Sequence, residues 1–256
     1  MPRARSSSAE LSASVTAMGE RMVDHTTGES VLGLLLVLEG GEGVGKTTQW
    51  TRLADTLRSV GLDVVAVREP GGTPAGDAIR ALLLDPTSSL TAESEALLFA
   101  ASRAQLVRDV IAPAMARGAL VLVDRFLLST YAYQGAGRGL PMASLQAVNR
   151  FATAGLSPDL TLLLSVPLET AQARMQARGV ADRMEQEDVA FHERVRDAFQ
   201  AALRDEWQAE HPEAGPVVAI AADSPIDVVT THCLQVLVAR WPERFAAAAT
   251  AALSVL

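Results

Sequence analysis

One octapeptide restricts this 256-residue chain more than any other stretch. Gly40-Gly41-Glu42-Gly43-Val44-Gly45-Lys46-Thr47 fits G-x-x-x-x-G-K-[ST] at each fixed position. Its glycines let the backbone curl so that successive N–H groups converge on phosphate oxygens, and a helix starting behind it adds its positive end. Such a loop needs a buried strand before it and a helix after it. The flanks comply: Val31–Leu38 is a continuous apolar run, and Thr47–Val60 has helical character. Of the 22 basic residues, Lys46 is the only lysine. A slim ammonium stem and a planar guanidinium fork are not interchangeable in an enclosed site, so an arginine-biased chain that keeps one lysine here marks the position as exacting.

Beyond the loop, strand-like and helix-like stretches alternate. Asp63–Val67, Leu120–Val123, Leu160–Val166 and Val217–Ala221 read as further strands. Pro74–Leu84, Ala92–Arg117 (to be kinked or divided by Pro113), Pro167–Arg178, Glu187–Glu210 and Pro225–Ala239 read as helices, the last capped by Ser224. This alternation predicts an α/β fold: a parallel five-stranded sheet with helices on both faces and ligands at the carboxyl ends of the strands. Residues 1–29 have no sustained period and are expected to be a flexible extension, with Met18 and Met22 as later possible starts. A single domain is expected over 30–241 and a tail over 242–256.

Composition excludes more than it assigns. A net charge of −8 argues against a nucleic-acid partner. No apolar run approaches the ~18 residues that span a bilayer, and no apolar block follows Arg3 and Arg5, so the expectation is a cytoplasmic protein without a membrane partner. The single cysteine, Cys233, reads as a core thiol, and the four histidines show no metal-ligand spacing. The Asp-x-x-Gly and Asn-Lys-x-Asp marks of GTP switches are absent. A small-molecule kinase using ATP and an ATPase driving a protein partner both remain compatible with the loop.

Separated blocks narrow this choice. They are Glu39 through Thr48; Arg68-Glu69-Pro70-Gly71-Gly72-Thr73; Asp124-Arg125-Phe126 leading to Ser129-Thr130-Tyr131-Ala132-Tyr133-Gln134; and Arg178-Gly179 through Asp182-Arg183. In this order and spacing the chain, from about Leu35 to Arg240, resembles the thymidylate kinase family in its bacterial form. The resemblance implies the three-layer P-loop kinase fold, ATP as donor with Mg²⁺, dTMP as acceptor, dTDP as product, and a homodimer. It implies that Gly40, Gly41, Glu42, Gly43, Val44, Gly45, Lys46, Thr47 and Thr48 cradle the donor, with Thr47 and Asp124 at the metal. Arg68, Phe99, Arg103, Arg125, Thr130, Tyr133 and Gln134 would form the acceptor site. There Phe99 stacks on the base, Arg103 reads its edge, Arg125 grips the phosphate and Tyr133 crowds the sugar 2′ position. Glu42 would approach the 3′-hydroxyl. Residues 174–186, with Arg174, Arg178 and Arg183, would be a lid, in which Arg178 binds ATP and Arg183 serves the transferring group. Pro70 is expected to follow a cis peptide bond.

Overall fold

The computed structural model describes residues 33–178 and 182–253. The extension expected over 1–29 lies outside them, as do Gly179 and the side chain of Arg178. β1 (Leu34–Glu39) runs through the glycine loop into α1 (Lys46–Ser59), followed by β2 (Val64–Arg68) and α2 (Pro74–Leu84). α3 (Ala92–Leu106) widens at Val107–Ile111 before the short α4 (Ala112–Ala116). β3 (Leu120–Asp124) leads to α5 (Leu127–Thr130), the wide-wound segment Tyr131–Gly137 and α6 (Met142–Thr153). β4 (Leu160–Ser165), α7 (Leu168–Arg178), α8 (Val189–Ala201), α9 (Asp205–Glu210), β5 (Val217–Ala221), α10 (Ile226–Arg240) and α11 (Pro242–Leu253) complete the described chain.

The five strands are all parallel in the order β2-β3-β1-β4-β5, as expected from the alternation. β1 is central, and its side chains divide by parity. Leu34, Leu36 and Leu38 pack with α1, α10 and α11, while Leu35 and Val37 pack with α3 and α4 on the opposite face. Leu35, Leu36 and Leu38 are fully buried, each contributing about 1.5–3 kcal/mol over an exposed position. Because β3 and β4 flank β1 on opposite sides, the chain order reverses there, and a crevice opens beyond the strands' carboxyl ends.

Ala92–Arg117 is divided rather than merely kinked: Pro113 has no N–H to give, and the Ala112 N–H reaches back five residues to the Val107 carbonyl. Three expectations need correction. Glu187–Glu210 is two helices, the first starting only after Asp188, whose carboxylate caps it by accepting from the Phe191 N–H at 2.7 Å. Ser224 does not cap α10, whose N-cap is Pro225. The stretch set aside as a tail forms α11, which seats Phe245 and Ala248, both fully buried, against α10. The helix over Met142–Thr153 had not been anticipated. The Glu69–Pro70 peptide is cis, as expected.

Candidate active site

The glycine loop turns as its composition requires. Gly43 has φ +73°, and a Cβ there would sit 2.4 Å from the Ala171 carbonyl oxygen; Gly45, at φ +94°, is the N-cap of α1. No acid occupies the first turn of α1, so its positive end faces the crevice unopposed. Lys46 is 7% exposed, and its Nζ donates to the Gly41 carbonyl at 2.6 Å. Burial, with the nearby Arg125 guanidinium, lowers its pKa from 10.5 to about 8 against the pull of Glu42, Asp124 and Glu39.

Beside the loop, the end of β3 carries Asp124 and Arg125. The Thr47 hydroxyl donates to Asp124 Oδ2 at 3.3 Å, while the buried Oδ1 finds no hydrogen-bond partner. A hydroxyl next to an orphaned carboxylate oxygen is the hard-oxygen donor set that suits Mg²⁺. Among the described residues no group of three or more His, Cys, Asp or Glu could cage a metal, so phosphate oxygens would complete the coordination. Arg125 sits at φ +67°, a left-handed conformation that costs a non-glycine residue on the order of 1 kcal/mol. Glu39, fully buried at the end of β1, holds the chain just beyond it by accepting from the N–H groups of Phe126 (2.8 Å) and Ser129 (2.9 Å) and from Ser129 Oγ (2.6 Å). Arg125 thus donates to the Gly40 carbonyl (3.0 Å) and Ser129 Oγ (3.1 Å) and pairs with Glu42. Burial works against its charge, but Glu42, Tyr133, Asp124 and Glu39 outweigh it and push its pKa up. Glu42, an acid placed oddly among phosphate ligands, has its expected partners: Arg125 and the Tyr133 hydroxyl, which donates at 2.9 Å.

The loop, Asp124 and Arg125 form one wall of a cleft of about 620 Å³. Glu42, Gly43, Gly45, Lys46, Thr47, Thr48, Arg68, Phe99, Arg103, Asp124, Arg125, Thr130, Tyr133 and Gln134 all line it, so both sets of predicted residues meet in one space. Gly40 and Gly41 contribute carbonyls to Arg125 and Lys46. Val44 faces a second hollow of about 220 Å³ with Arg174, which donates to the Ala222 carbonyl.

Arg103 is the most heavily engaged residue in the cleft. It is 2% exposed, and its five N–H groups meet Glu69 Oε2, Thr130 Oγ1, Asn149 Oδ1 and the Phe126 carbonyl. It braces the pocket wall rather than presenting a free edge. Arg183, expected at the transferring group, is turned away from the cleft. Its Nε donates to the Leu83 carbonyl and its Nη2 to Glu95, both at 2.7 Å. It ties the turn that follows Asp182 onto α2 and α3.

Several contributors do not stand out in the sequence: Glu39 lies inside the phosphate-loop block, and Glu95, Arg138, Asn149 and Arg80 fall outside every motif. Glu95 carried a signal: it lies four residues before Phe99 and eight before Arg103, hence on the same helical face. Arg80 lines the cleft and donates to the Pro70 carbonyl at 2.9 Å.

A parallel sheet with a phosphate loop at its reversal point, opening into an arginine-lined second chamber, defines a P-loop phosphotransferase. The thymidylate kinase family model matches residues 38–216, and the chain belongs to that family. A thymidylate kinase of Pseudomonas putida (strain GB-1) is 53% identical over 168 residues, covering 65% of this chain and 80% of the relative. One of Thermosynechococcus vestitus is 44% identical over 236 residues, covering 86% and 94%. Among solved structures, the thymidylate kinase of Ehrlichia chaffeensis superposes with a TM-score of 0.63 at 29% identity, over 80% of this chain and 98% of that one. Among the described residues no helix is long and apolar enough to cross a membrane.

Proposed function

We propose that the chain transfers the γ-phosphoryl group of ATP to dTMP, giving dTDP and ADP. The observation that carries this reading is the single cleft that joins the phosphate loop to a chamber bearing Phe99, Thr130 and Gln134 for a base and Arg68 and Arg125 for a phosphate. Lys46 and the N-terminal end of α1 bind the donor phosphates, and the second hollow beside Val44 and Arg174 seats the donor base. Arg125, preset by its contacts with Gly40 and Ser129, holds the acceptor phosphate against the loop. Phe99 stacks on the base, and Tyr133 narrows the space beside the sugar. Glu42 accepts from the acceptor's sugar hydroxyl while staying paired with Arg125.

Thr47 and Asp124 would hold Mg²⁺, which when bound would neutralise charge on the phosphate oxygens. No side-chain base is needed, because a phosphate monoester is already largely ionised near pH 7. Alignment and charge compensation by Lys46 and Arg125 supply the rate. The enzyme is proposed to work in the cytoplasm as a homodimer, and a subunit contact would cover the exposed Phe151 and Leu97. ADP release measured against a panel of nucleoside monophosphates tests the reaction. Strong stimulation by dTMP alone is expected; stimulation by a different monophosphate or only by a protein overturns it.

A further inference from the structure

Glu95 is 1% exposed at the back of the base chamber, and it faces the amide of Gln134. Its Oε1 accepts from Gln134 Nε2 at 2.8 Å and from Arg138 Nε at 3.2 Å; its Oε2 accepts from Arg138 at 2.9 Å and Arg183 at 2.7 Å. Burial raises the pKa of this carboxyl, but the hydrogen bonds from Arg138, Gln134 and Arg183 outweigh it and hold it below the usual range. It is therefore ionised throughout the working range, and an ionised carboxylate only accepts. Gln134 must turn its NH₂ toward Glu95. Its carbonyl oxygen is left over; among the described residues no donor meets it, and Gln134 lines the same cleft as Phe99.

We propose that Glu95 is a specificity-determining positioning residue: it locks the Gln134 amide so that an acceptor, not a donor, faces the incoming base. That favours a pyrimidine whose ring N3 carries a hydrogen, as in a 4-keto base, and disfavours a 4-amino base whose N3 is a bare acceptor. Two acceptors would then confront each other in a buried site. The inference rests on the proposed placement of the base beside Gln134.

The test is a double-mutant cycle on the ratio of kcat/KM for dTMP to that for dCMP, at saturating ATP. Glu95→Gln is expected to cut the ratio at least tenfold, because a neutral amide lets Gln134 turn over. In a Gln134→Leu background the same change should leave the ratio within about twofold, since Glu95 acts only through Gln134. Glu95→Asp keeps the charge facing Arg138 and Arg183 but withdraws the carboxylate from Gln134; it should also lower the ratio and serves if Glu95→Gln folds poorly. An unchanged ratio in whichever Glu95 variant folds, or an equal fall in the Gln134→Leu background, overturns the proposal. If Gln134→Leu itself leaves the ratio unaltered, the base does not lie beside Gln134, and the placement fails instead.

Discussion

The donor and acceptor sides of the cleft are built on opposite principles. The donor side is a short, continuous stretch of backbone, Gly40 to Lys46, shaped by glycine torsions and a helix end that are proposed to take the donor phosphates. The acceptor side is an assembly of side chains from β2, α3, β3, α5 and the segment after it, held in place by buried acids. Glu39 secures the turn after Arg125, Glu69 secures Arg103, and Glu95 secures Gln134. Backbone recognition tolerates little variation in the loop but needs few supports. Side-chain recognition spreads the demand over many residues, and each buried acid needs its donors, backbone N–H groups for Glu39 and arginines for Glu69 and Glu95. The sides should therefore fail differently when altered.

The largest expected effect is on the donor side. Lys46→Arg preserves charge, yet a planar fork cannot take the place of the slim stem whose Nζ sits 2.6 Å from the Gly41 carbonyl. Steady-state assays should give a kcat reduced by ~10²–10³, the scale of losing one preorganised contact to developing charge. A near-normal kcat would mean that the cradle does not discriminate shape.

Phe99→Ala probes the other side. Losing one half-buried ring from a stacking position should raise the KM for dTMP roughly 10–30-fold, or about 1.4–2 kcal/mol, with ATP KM changed less than twofold. An equal loss for both nucleotides would place Phe99 in the shared framework and blur the division.

A pH profile sharpens the contrast without mutation. The free enzyme's Lys46 has its pKa lowered from 10.5 to about 8, so its ammonium is complete below that pH and is lost as pH rises through it. The kcat/KM for ATP should fall roughly tenfold between pH 7 and pH 9. Bound phosphates draw the pKa back up, so kcat should hold to higher pH. A kcat/KM that stays flat to pH 9 would show the ammonium unperturbed.

The smallest catalytic change should come from Arg183→Ala. Its guanidinium is committed to Glu95 and the Leu83 carbonyl, so kcat should fall less than tenfold while stability drops by about 1–3 kcal/mol. For a domain of this size that lowers Tm by roughly 2–10 °C in a melting scan. A hundredfold loss of kcat with unchanged Tm would return Arg183 to the transferring group and make the lid part of the donor side.

Much of this was legible in residue order alone. The strand-loop-helix at Gly40–Thr47 and the central strand's continuous apolar run depend on neighbours in sequence: torsions that glycine permits, and burial on both faces of a parallel sheet. The Thr47–Asp124 approach followed almost as directly, since Asp124 ends a strand and strands of one sheet end on the same side. What only the tertiary structure decided is which polar group meets which. Arg103 could have read a base edge, but Glu69, Thr130, Asn149 and the Phe126 carbonyl claim its donors. Arg183 could have reached the phosphates, but Glu95, 88 residues away in sequence, holds it. A buried charge takes the partner that the fold brings within about 3 Å, and that partner is set by the packing of whole elements, which no local pattern encodes.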